Sequence, residues 1–108
     1  MAERIKLVQG DSRPQLQLTL TDDTTGDPID LTGATVRMKF RQTGSETLLD
    51  TITGVVTGAL TGQVVIIWGP NTLNVEEGDY EGEIEITFSD NSIQTVYNLL
   101  KFKIRADF

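Results

Sequence analysis

Residues 80–88 read YEGEIEITF, and the phase of this stretch decides the fold. Tyr80, Ile84, Ile86 and Phe88 occupy one set of alternate positions, and Glu81, Glu83 and Glu85 occupy the other. In a strand, residues i, i+2 and i+4 share a face. The stretch therefore predicts a half-buried strand with three carboxylates in a row on its outer side. The same period of two recurs in QLQLTLT (Leu16, Leu18, Leu20), ATVRMKFR (Val36, Met38, Phe40) and LKFKIR (Leu100, Phe102, Ile104). QVVIIW, residues 63–68, is apolar throughout and reads as a strand covered on both faces or partly at an interface. DDTTGDP, QTGSE, GPN, EEGD and SDNS supply turn chemistry between the runs, and no window of helix length has a 3.6-residue period. The prediction is all-β: one immunoglobulin-like β-sandwich spanning residues 1–108, with about seven to eight antiparallel strands.

Three carboxylates side by side demand a partner. ATVRMKFR places Arg37, Lys39 and Arg41 outward, and LKFKIR places Lys101, Lys103 and Arg105 outward. In a sandwich of this kind three such runs take the C, F and G positions of one sheet, with F in the middle. The glutamates would then lie between two basic strands, each opposed pair being favourable by roughly 0.2–1 kcal/mol. A slip of one residue would drive charges into the core, so the ladder specifies register. This reading outweighs a cation site on Glu81, Glu83 and Glu85, because the flanking cations would compete for it. Six cations against three anions give this face +3, so the rest of the chain holds −10 of the total −7.

The 108 residues include no Cys and no His. Disulfides, Cys- or His-based zinc sites and Ser-His-Asp or Cys-His relays are excluded. Paired carboxylates alone do not argue for a glycosidase, and no enzyme activity, cofactor or metal is expected. A net charge of −7 disfavours nucleic acid and anionic membranes. No apolar run is long enough to span a membrane, and the opening MAERIKLVQG is too charged for a signal peptide. Asp22, Asp23, Asp27 and Asp30 cluster in one loop without EF-hand spacing and read as Asx turns. The glycines of TGVVTGALTG (Gly54, Gly58, Gly62) read as loop and edge hairpin. LNVEEGDYEG suggests a tyrosine corner, with Leu73, Gly78 and Tyr80, the hydroxyl bonding backbone near residues 73–75. In DLTG, Asp30 can close a turn, Leu31 plug the core and Gly33 take a positive φ. Among the aromatics, Trp68 and Tyr97 are the candidates for exposure. Leu48, Leu49, Ile52, Val55 and Val56 form a charge-poor stretch expected to meet a neighbouring protein.

GDPIDLTGATVRMKFR (26–41), GQVVIIW (62–68) and GDYEGEIEITFSDNSIQTV (78–96) follow one another in an order that resembles the N-terminal domain of BppU-like phage baseplate upper proteins. The resemblance implies an immunoglobulin-like structural module of a virion, packed in symmetric copies against other virion proteins. The chain stops after its last strand where those proteins continue, so a tail, baseplate, collar or head-decoration component is expected. The rival reading is a carbohydrate-binding or adhesin module on a phage or bacterial surface.

Overall fold

The computed structural model describes residues 4–13, 15–22, 24–96 and 99–107. Among the described residues the strands are β1 (Ile5–Val8), β2 (Leu16–Thr19), β3 (Thr35–Gln42), β4 (Leu48–Thr53), β5 (Val55–Gly58), β6 (Gln63–Ile66), β7 (Gly78–Thr87), β8 (Ile93–Thr95) and β9 (Leu100–Arg105), with a 3-10 turn at Ala59–Thr61. The larger sheet runs β1-β9-β7-β3-β4, with β8 beside the far end of β7, and the smaller runs β2-β6-β5. The two form an immunoglobulin-like sandwich.

Alternation explains which side chains lie between the sheets. Val36, Met38 and Phe40 of β3, Ile84 and Ile86 of β7, Phe102 and Ile104 of β9 and Val64 and Ile66 of β6 are all buried. Phe40 is the hub: it stacks on Tyr80 at 5.4 Å and meets Trp68 and Phe102 edge-on at 5.5 and 5.7 Å. Such aromatic geometries add to simple area burial. Gly82 faces Phe40 in register, and a Cβ there would lie 2.8 Å from the Met38 sulfur. The missing side chain is the space that Met38 and Phe102 fill.

The chain leaves the larger sheet between β4 and β5. Gly54 turns this corner against the second sheet, where a Cβ would lie 2.8 Å from Val64. Gly62 follows the 3-10 turn in the left-handed region, at φ +68°, and its amide closes on Ala59. The glycine repeat marks the β4–β5 corner, where the chain changes sheets at Gly54, and the β5–β6 connection that follows at Gly58 and Gly62.

Two features differ from the expected seven to eight antiparallel strands. The described residues hold nine, and β1 pairs with β9 in parallel, Ile5 opposite Phe102 through Val8 opposite Arg105. β8 carries three exposed residues and no buried face, so it leaves no alternation to read. QVVIIW is covered on one side: Val64, Ile66 and Trp68 enter the core, while Ile67 is half exposed.

Candidate functional site

The outer face of the larger sheet gathers the charged residues. β7 lies between β3 and β9. On the β3 side, Arg37, Lys39 and Arg41 stand opposite Glu85, Glu83 and Glu81 in turn. The ion pairs are partly diagonal. Lys39 Nζ reaches Glu85 Oε2 at 2.9 Å, and Arg41 Nε donates to Glu81 Oε1 at 2.7 Å. The other oxygen of Glu81 accepts from Lys101 Nζ at 3.0 Å. Glu81 is thus clamped from both sides, and its side chain is only 6% exposed. Burial pushes its carboxyl up, but the hydrogen bonds and charges of Lys101 and Arg41 outweigh this and hold it below its ordinary value of 4.5.

The β9 side differs from the symmetrical ladder that strand phase alone suggests. Only Lys101 reaches the glutamate row, opposite Glu81; Lys103 falls opposite Asp79, and Arg105 runs past the start of β7. The cause is register: Leu100 pairs with Gly82, so β9 begins before Glu83 and Glu85. What lies beside Lys103 instead is β1. Lys6 is its parallel register partner, and Val8 is that of Arg105. Lys6, Lys103 and Arg105 line a groove of about 290 Å³ with Leu7 and Val8. The carboxylate nearest in register, Asp79, is turned to Arg4, with Nη1 to Oδ1 at 3.0 Å. Among the described residues, neither Lys6 nor Lys103 has an ion-pair partner within 4.0 Å. Strand phase alone does not single out Lys6. IKLV carries the outward signal, Lys6 between buried Leu7 and half-buried Ile5, but nothing local says which strand it meets.

The remaining candidates have structural surroundings. Tyr80 is buried, and its hydroxyl donates to the Glu76 carbonyl at 2.5 Å, one residue beyond the 73–75 stretch expected. Burial, then the charge of Glu76, raises its pKa above 10.0. Leu73 is buried beneath the same turn, and Gly78 opens β7. Asp30 accepts from the amide and hydroxyl of Thr32 at 2.9 and 2.6 Å, and these bonds hold its carboxyl low. Gly33 sits at φ +72° beside Ser89. In the aspartate loop, Asp22 Oδ1 accepts from the amides of Thr24 and Thr25 at 2.7 and 3.2 Å, while Asp23 lies outside the described residues. The charge-poor stretch is divided by strand alternation. Ile52 is buried opposite Met38 and Val56 is partly buried against the core, whereas Leu48, Leu49 and Val55 are about half exposed. Asp50 turns inward and accepts from Thr72 Oγ1 at 2.6 Å. Trp68, an expected exposed aromatic, is in the core, and Tyr97 lies outside the described residues.

No protein-family model matches the chain, and no curated protein does. Among solved structures it is similar to CopC from Methylosinus trichosporium OB3b, at 8% identity over 97% of this chain and 86% of that one, with a TM-score of 0.53. It is also similar to PcoC, a copper resistance protein from Escherichia coli, at 19% identity over 95% and 92% of the two chains, with a TM-score of 0.42. At such identity the likeness to CopC establishes the fold alone. The likeness to CopC, with no family model or curated protein matching, overturns the resemblance to BppU-like baseplate proteins. The virion location, the phage structural role with its adhesin alternative, and the symmetric virion partners fall with it. The quoted motifs are strand and turn patterns that any sandwich of this kind uses, and the architecture is shared with CopC.

Proposed function

We propose that the chain is a non-catalytic β-sandwich module that binds an acidic ligand at the corner formed by Lys6, Lys103 and Arg105. The observation that carries this reading is the register of Lys6 against Lys103. Like charges directly opposite one another on paired strands destabilise a sheet. Elsewhere on this face Lys39, Arg41 and Lys101 meet carboxylates; here two lysines stand opposite each other in register with no carboxylate within ion-pair distance among the described residues. An anion seated in the groove would relieve that repulsion. The overall charge of −7 does not forbid it, because fields are screened within about 8–10 Å at physiological salt, and the local cluster governs close approach.

The absence of His and Cys supports a non-catalytic role. PcoC is a copper resistance protein, but copper does not suit this chain. Imidazole, thiolate and thioether are the ligands copper favours. The sequence has neither His nor Cys, its two methionines are Met1, outside the described residues, and Met38, buried in the core, and among the described residues no group of three or more His, Cys, Asp or Glu could hold a metal.

The test is a titration with polyglutamate, followed by fluorescence anisotropy at several salt concentrations. Binding that weakens with salt and falls about tenfold in Lys103→Glu is expected, the change that 1.4 kcal/mol represents. No binding, or equal binding by the variant, refutes the reading.

A further inference from the structure

We infer that the ligand at this corner is an extended acidic polypeptide segment that joins the larger sheet as a further strand beside β1. This rests on the acidic-ligand reading above and adds to it a geometry. Three observations carry it.

The first is topological. β1 ends the sheet, and among the described residues no strand lies beyond it. The amide of Gln9 donates to the Arg105 carbonyl at 2.9 Å, so Gln9 points at β9. Strand alternation then turns Ile5 and Leu7 toward β9 and Lys6 and Val8 away from it. The Val8 carbonyl accepts from Asp11 at 3.1 Å. The Lys6 amide and carbonyl and the Val8 amide are left facing the open edge. Such a row of backbone groups is a template for strand addition.

The second is charge. Lysine on an edge strand deters neutral and basic strands from pairing with it. It does the reverse for a strand carrying carboxylates. Lys6, Lys103 and Arg105 all stand on the outer face, so the glutamates or aspartates of an added strand would share that face at every second residue, one strand from Lys6 and two from Lys103 and Arg105, which their long side chains can span. The third is the groove itself, which Leu7 and Val8 help to line. The residues between the acidic ones would point to the opposite face, the side of Leu7, where an aliphatic side chain fits. Alternating acidic and aliphatic residues is therefore the partner sequence that fits.

The probe is a synthetic peptide alternating glutamate and valine, alongside the same peptide with N-methylated backbone amides. The full chain is titrated with each, and amide hydrogen exchange of Lys6 and Val8 is followed. The expected result is slowed exchange at both amides with the unmodified peptide and about tenfold weaker binding of the methylated one. Val8→Pro removes the outward amide while leaving the β9 side of the ladder, since proline is tolerated where the missing N–H faces solvent. It should weaken binding by a similar factor with little change in melting temperature. Equal binding of both peptides without slowed exchange overturns strand addition and leaves the acidic-ligand reading standing. Failure of both peptides and of polyglutamate overturns the two together.

Discussion

Glu81 is the point at which the charged face touches the core. Its two oxygens are taken by cations from different strands, and its pKa is depressed by them in spite of burial. A carboxyl whose folded pKa is lowered stabilises the fold fully above its unfolded value and loses that contribution as pH falls through the folded one. Glu81→Gln should therefore cost about 1–2 kcal/mol at pH 7, a charged hydrogen bond discounted for the partly exposed Arg41 and Lys101. The gap between the two proteins should close on acidification below pH 4.5. Urea denaturation from neutral to acid pH checks this; a constant gap would show that the ion pairs contribute nothing specific. The outward phase of Glu81 was legible in YEGEIEITF. That it alone of the three glutamates is engaged from both sides was not, because that depends on where β9 ends against β7, a fact of long-range register. Trp68 was illegible for the opposite reason: in an unbroken apolar run no alternation says which face is inward.

Elements were readable in proportion to how clearly they separate a buried face from an exposed one. β3, β7 and β9 do so over six to ten residues. β8 exposes every residue and β1 is four residues long, so neither could be placed from local pattern. The link from β5 to β6 shows how much a single position can demand. At Gly62 the backbone is left-handed, and a Cβ would run into the carbonyl oxygen of Leu20. At Gly26, φ is +75° but nothing lies within 4 Å. Gly26→Ala should cost about 1–2 kcal/mol, the steric penalty of that conformation. Gly62→Ala should cost more, about 3 kcal/mol or above, since backbone must also move. Thermal denaturation of the two variants separates the effects; equal losses would mean that the loop relaxes freely.

At the scale of the molecule, the sandwich architecture was readable because turns and alternating strands are imposed by burial alone. The same fact explains why a resemblance built on those patterns misled about function: DLTGATV and GDYEGEIEITF report turn and core requirements that unrelated sandwiches share. The proposed ligand corner lies outside the motifs that carried the resemblance, at a junction between the first and last strands whose pairing no local pattern records. That junction has a mechanical consequence. β1 and β9 run in parallel. Tension applied through Arg4 and Asp107 therefore drags the two strands past each other lengthwise, and all their ladder bonds bear the load together. Tension applied through Arg4 and Leu100, which lie at one end of the pair, would instead open the bonds one after another. Single-molecule pulling should give a markedly higher rupture force in the first geometry than in the second, and equal forces would mean that the weak point lies elsewhere. The pairing of first strand with last thus sets these two strands in shear whenever the domain is pulled along the line of its own chain.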